Sequence, residues 1–138
     1  MQYSCAFSKA GTSKGVFFSL KDLPKPAQVA GAARDALLLR VIGSPDPYGK
    51  QTDGMGGATS STSKTVILSK SEKADHDIDY LFGQVSIDKA FVDWSGNCGN
   101  LTAAAFNFKK WMREAIFWIQ YLKVLLQDLF IKKNLLYV

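Results

Sequence analysis

Three short stretches concentrate side chains capable of acid–base work or anion binding. The first is Asp93-Trp94-Ser95-Gly96-Asn97-Cys98-Gly99-Asn100-Leu101-Thr102-Ala103-Ala104, a glycine-flanked turn that delivers a cysteine to the start of a helix. Gly96 and Gly99 allow the backbone to bend and to approach a ligand closely. Asn97 suits an N-cap, and Leu101 to Ala105 are helix formers. Cys98 is then expected in the first turn, where free amides and the helix dipole favour a thiolate and attract a carboxylate. The second stretch is Asp53-Gly54-Met55-Gly56-Gly57-Ala58-Thr59-Ser60-Ser61-Thr62-Ser63-Lys64. Ser60, Ser61, Thr62 and Ser63 offer hydroxyls and amides, and Lys64 stands where the loop enters the apolar run Thr65-Val66-Ile67-Leu68. Such composition also suits a flexible linker, but the run is short and abuts a strand, where scaffolded loops carry binding residues. The third stretch is Lys9-Ala10-Gly11-Thr12-Ser13-Lys14-Gly15, read as a loop between two glycines. Thr12, Ser13 and Lys14 can present amides, two hydroxyls and an ammonium to an anion, or form an ordinary solvated turn. The spacing is not that of a P-loop.

Other chemistries find less support. His76 is the only histidine, so neither a histidine-based zinc site nor a Ser–His or Cys–His pair is expected. Asp75, Asp77 and Asp79 imitate the opening of a calcium loop. However, Tyr80 occupies its glycine position and Ser86 its bidentate glutamate position, which rejects an EF-hand. No metal site is expected from these residues.

The elements that must hold these residues follow from periodicity. Met1 to Phe7 and Val16 to Leu20 read as strands, Ala27 to Ile42 as an amphipathic helix ending at Gly43, and Thr65 to Leu68 as a buried strand. Asp75 to Ile87 alternates as a strand or hairpin. At 138 residues, 47% hydrophobic and 21% charged, the chain has the size of one globular domain. Two cysteines, Cys5 and Cys98, are too few for a disulfide framework and point to a reducing cytoplasmic setting. No signal peptide is evident.

The net charge of +5 is unevenly placed. Residues 1–105 hold 11 Lys/Arg against 10 Asp/Glu, whereas residues 106–138 hold 6 against 2. The body therefore lacks the clustered basic face that nucleic-acid binding requires. Residues 106–138 also lack glycine and proline and carry 8 of the 17 aromatics. Phe108, Trp111, Ala115, Trp118, Leu122, Leu125 and Leu129 draw a helical stripe, with Ile116, Phe117, Tyr121 and Val124 apolar on the other side. Ala115 to Leu122 is far too short to span a bilayer. Two units follow, a body of 1–105 and a helical tail of 106–138.

Gly11-Thr12-Ser13-Lys14-Gly15-Val16-Phe17-Phe18 resembles the PrpF family. So do Leu38 to Asp46 with Gly49-Lys50-Gln51, Asp53 to Lys64, and Phe91 to Thr102. The resemblance runs over about residues 9–104. It implies an α+β, diaminopimelate-epimerase-like fold: a curved mixed or antiparallel sheet around a central helix, here the N-terminal part of a first lobe. It also implies a cytoplasmic, cofactor-free and metal-free isomerase of small unsaturated tricarboxylates, such as 2-methylaconitate in the methylcitrate pathway of propionate catabolism. A functional link to an aconitase-type dehydratase is implied with it. By matching motifs Lys64 is similar to the family's general base and Cys98 to its active-site cysteine. Thr12, Ser13, Lys14, Ser60, Ser61, Thr62, Ser63, Asn97, Gly99 and Asn100 form the substrate-binding set. An enolate-type intermediate would need the positive charge these groups provide, and Lys64 would act as base with its pKa lowered by burial or cationic neighbours.

Residues 106–138 bear no likeness to the family, and their Lys/Asn/Phe/Leu/Ile/Tyr bias suits translation of an AT-rich wrong frame. The expectation is therefore a truncated or frameshifted member, inactive alone. The alternative is a non-enzymatic remnant whose apolar, basic tail mediates homo-oligomer or membrane-surface contact.

Overall fold

The computed structural model describes residues 5–105. The expected helical tail of 106–138, with its aromatic stripe, and the first four residues lie outside that range. Strand β1, Cys5–Ala10, and strand β2, Ser13–Ser19, pair antiparallel from Cys5↔Phe18 to Ala10↔Ser13. The turn between them is therefore only Gly11-Thr12, not the whole loop of Lys9 to Gly15. Gly11, at φ +58°, takes the left-handed conformation that closes so short a connection. Lys9, Ser13 and Lys14 are drawn into the ladder as a result.

A 3-10 turn, Leu20–Asp22, leads to the short helix α1, Lys25–Gln28, and then to helix α2, Ala32–Ile42. The expected single helix over 27–42 is thus broken. Gly31 sits at φ +142°, which no L side chain adopts comfortably. The buried Arg34 guanidinium ties the two pieces by donating to the carbonyls of Ala27, at 3.0 Å, and Gln28. Gly43 ends α2 in a left-handed cap, its N–H bonded to the Leu39 carbonyl at 2.9 Å.

After the loop of 44–63 come strands β3, Lys64–Lys70, β4, Ile78–Val85, and the two-residue β5, Val92–Asp93. The sheet order is β1-β2-β3-β4-β5. β2 and β3 run parallel with Val16 opposite Thr65, and the other pairs are antiparallel. The chain is α+β with a mixed sheet. Parallel neighbours need a long crossover, and the segment containing α1 and α2 provides it.

Strand alternation divides the sheet's two faces. Val16, Phe18, Ile67 and Val85 pack with Val92, Leu23, Ala27, Leu38, Leu39 and Ile42 in one cluster. Each of the larger side chains among them contributes roughly 1.5–3 kcal/mol by leaving water. The opposite face presents Gly15, Phe17, Lys64, Val66 and Phe82. Helix α3, residues 99–105, starts against it. Gly15 permits that approach, because a Cβ there would sit 2.8 Å from Leu101 Cδ1.

Candidate functional site

β2 and β3 are parallel, so their first residues, Ser13 and Lys64, emerge at the same end of the sheet. α3 begins over that end. Cys98, rather than Asn97, is its N-cap: the Cys98 carbonyl accepts the first helical bond, from Thr102 N–H at 3.0 Å. The Asn97 side chain instead turns back to accept from the Cys98 amide at 2.7 Å.

The Cys98 thiol is buried at 7% exposure and lies between two polar side chains. Lys64 Nζ lies 3.5 Å from its Sγ, and the Ser13 hydroxyl lies 3.5 Å away on the other side. Burial pushes the thiol up. The Ser13 hydroxyl, the Leu101 amide and the Lys64 charge together outweigh it and hold the thiol below its ordinary range. The cysteine thus occupies the place of a Ser or Asp cap, with a sulfur that accepts from the first turn. Asn100 Nδ2 bonds to Thr12 Oγ1 at 3.2 Å and reaches Ser13 Oγ at 3.5 Å, fastening the hairpin turn to α3. Gly11 leaves room for this, since a Cβ there would stand 3.0 Å from Asn100 Oδ1.

The remaining expected residues divide. Lys14 alternates to the other face, where its Nζ reaches the Gly56 carbonyl at 3.4 Å and lies 4.9 Å from the Phe7 ring centroid. Its backbone N–H binds the Ser61 carbonyl at 2.9 Å. Ser61 and Thr62 hydroxyls meet Thr59 Oγ1 at 2.9 and 2.8 Å, and Ser60 is exposed. Ser63 is fully buried against Gln51. Thr12, Ser13, Asn100, Lys64 and Cys98 therefore converge, while Lys14 and Ser63 point elsewhere.

Several participants were absent from the sequence expectations. Tyr80 donates to the Cys98 carbonyl at 3.5 Å, and Thr102 Oγ1 donates to the same oxygen at 3.1 Å. Burial raises the Tyr80 phenol, against a hydrogen bond with Thr102, and the Cys98 charge adds to the rise. Phe82 lies under the Lys64 ammonium at 5.5 Å from ring centroid to Nζ. Tyr80 and Phe82 could have been found from period-two alternation on the Lys64 face, and Thr102 from its i+4 spacing to Cys98. His76 is exposed in the turn before β4. Among the described residues, no three His, Cys, Asp or Glu side chains gather as a metal-binding set, and no helix is long and apolar enough to cross a membrane. Two surface cavities of about 490 and 540 Å³ lie beside α2 and the 43–55 loop, and neither is lined by Lys64 or Cys98.

Residues 1–115 match the family described as PrpF protein, some ten residues beyond the end of the motif resemblance near Ala104. A 2-methyl-aconitate isomerase of Shewanella oneidensis is 76% identical over 108 residues, which is 78% of this chain and 27% of that protein. One of Cupriavidus necator is 78% identical over 102 residues, 74% of this chain and 26% of the relative. A 4-oxalomesaconate tautomerase of Pseudomonas putida is 49% identical over 75% of the chain and 27% of its own length. The crystal structure of a methylitaconate-delta-isomerase superposes with a TM-score of 0.68 at 44% identity, covering 78% of this chain and 26% of that one. The chain spans about a quarter of the length of the curated relatives it matches. With its mixed sheet, its crossover and its three motif-bearing corners accounted for, this chain belongs to the PrpF family.

Proposed function

We propose that Lys64 and Cys98 form the acid–base wall of a site that isomerises small unsaturated carboxylates, with 2-methylaconitate the leading substrate. The observation that carries this reading is the 3.5 Å contact between Lys64 Nζ and Cys98 Sγ, with Ser13 beside the thiol. In its uncharged form, reached when the resting Lys64–Cys98 ion pair gives up the ammonium proton, Lys64 takes the allylic proton next to the conjugated carboxylate. The electron pair moves into the carboxylate-conjugated system, and the proton returns at the far carbon of the allyl unit. The new ammonium is held by the Cys98 thiolate, while Thr12, Ser13 and Asn100 offer hydroxyl and amide donors to a substrate carboxylate.

The names of the relatives support the substrate class: isomerases of 2-methyl-aconitate and 3-methylitaconate, and a tautomerase of 4-oxalomesaconate. Two free cysteines accord with a cytoplasmic setting. A link to an aconitase-type dehydratase rests on the family resemblance alone, whereas a homo-oligomer and a body of 1–105 with a separate tail rest on the composition of residues 106–138.

The test uses the 138-residue chain with 2-methylaconitate. Because the chain corresponds to a quarter of each relative, it is expected to shield Cys98 from alkylation in the presence of millimolar substrate but not to turn it over. Isomerisation that Lys64→Ala abolishes would overturn the one-wall reading. A thiol alkylated equally fast with and without substrate would overturn the assignment of substrate class.

A further inference from the structure

Gln51 lies in the loop between α2 and β3, and its side chain is 2% exposed. Both the oxygen and the nitrogen of its carboxamide are engaged. Oε1 accepts from the Ala58 N–H and from the Ser63 hydroxyl, each at 2.8 Å, and Nε2 donates to Ser44 Oγ at 2.8 Å. Gln51 at φ +49° and Ala58 at φ +58° are the non-glycine described residues with left-handed backbone. One side chain therefore ties together both strained positions. Strain of this kind costs about 1–3 kcal/mol at each residue and persists only where its surroundings over-determine it. Asp46 supplies part of that, its carboxylate accepting the amides of Tyr48, Lys50 and Gln51. Gly56 supplies another part, since a Cβ there would collide with the Gln51 carboxamide.

The Ser63 end of this network leads to the candidate site. Its hydroxyl is held by Gln51, and its carbonyl accepts from Gln84 Nε2 at 2.9 Å and Val85 N–H at 3.0 Å. The next residue is Lys64.

We propose that Gln51 is a positioning residue of the site: its buried carboxamide fixes the Ala58–Ser63 loop and the entry to β3, and so sets the contact between Lys64 and Cys98. This deepens the isomerase reading and rests on its site. Gln51 touches neither Lys64 nor Cys98 and acts only through the backbone that carries Lys64. The groups that face the thiol are Lys64 from β3, Ser13 from β2, Tyr80 from β4 and the Leu101 amide of its own helix. Lys64 is the charged one among them, so a displaced β3 entry would be felt as a weaker thiolate.

The experiment measures iodoacetamide alkylation of Cys98 against pH, without ligand, in a Cys5→Ser background. Gln51→Met keeps the length but strands the Ala58 amide and the Ser63 hydroxyl. It is expected to raise the alkylation midpoint by up to one unit, slowing alkylation up to roughly tenfold at neutral pH. Lys64→Met should raise it too, and the double variant should show little beyond Lys64→Met alone, because the effect passes through Lys64. Leu38→Ala, which destabilises the opposite face, should leave the midpoint in place. A wild-type midpoint in Gln51→Met, or full additivity with Lys64→Met, overturns the proposal. If Gln51→Met does not fold, Ser63→Ala decides: an upward shift supports the positioning role, and an unchanged midpoint removes it. Loss of substrate protection would count against the isomerase reading and leave this result unaffected.

Discussion

Replacing Lys64 by Met tests the ion pair most directly, because Met keeps a flexible apolar side chain at this position and removes the ammonium with its charge and its N–H donors. At 3.5 Å from Nζ to Sγ, two unit charges interact by about 1 kcal/mol in water and about 5 kcal/mol at an effective dielectric constant of 20. Lys64 is only half-buried, so the value near the lower end applies, about 1.4 kcal/mol or one pKa unit. The sign is fixed: losing a neighbouring cation disfavours the thiolate and raises the thiol pKa. The Ser13 hydroxyl and the Leu101 amide remain, so part of the depression should survive. In a Cys5→Ser background, the wild-type alkylation curve should have its midpoint below that of an ordinary thiol. The Lys64→Met curve should lie about one unit higher, with alkylation at neutral pH slowed about tenfold. Added salt should slow the wild type more than the variant. Superimposable curves would refute the ion pair, and with it the argument that Cys98 stabilises a protonated Lys64.

Three further outcomes can be checked alongside. Leu38 is fully buried in the core on the α2 face, so Leu38→Ala should cost about 2–5 kcal/mol in urea unfolding. Gly57→Ala places a Cβ 2.6 Å from Thr62 Oγ1 and 2.9 Å from Lys14 Nζ; it should cost about 1–3 kcal/mol and weaken any protection of Cys98 by substrate. Because the thiol is depressed on folding, its ionisation stabilises the fold fully above the ordinary thiol pKa. That contribution disappears as pH falls through the folded-state value. The stability difference between wild type and Cys98→Ser should therefore shift in favour of the wild type as pH rises through the folded-state value to above the ordinary thiol range, and a pH-independent difference would contradict the depressed thiol.

Much of the frame was legible in the chain because its signals are local. Thr65 to Leu68 is a continuous apolar run, and it lies inside β3. Gly43 follows the last periodic residue of α2 and takes the left-handed cap expected of it. Where the reading slipped, one residue's backbone decided. Gly31 splits what periodicity joins from Ala27 to Ile42, and Gly11 closes in two residues a turn that composition spreads over seven. Likewise, the helix start falls one residue later than Asn97 suggests, because the sulfur of Cys98 can itself accept from the first turn. The meeting of Lys64 with Cys98 was reached through motif resemblance, since nothing local links residues 34 apart. Gln51 appeared only within the motif Gly49-Lys50-Gln51, with nothing to mark its side chain as buried. A glutamine in a polar loop looks solvated until the loop folds over it.

The parallel pairing of β2 with β3 also sets an order of events. Ser13 and Cys98 are 85 residues apart, and Lys64 reaches them only after the crossover through α2 is complete. Contacts of such long range are slow to form and come after the local ones that must precede them. During synthesis the hairpin, the crossover and β3 with β4 can all assemble before Cys98 emerges. The helix cap arrives last and closes onto a prepared sheet end. An acidic Cys98 thiol is then a late marker of folding, acquired only when three distant pieces of chain have found one another, and alkylation at neutral pH can time that moment.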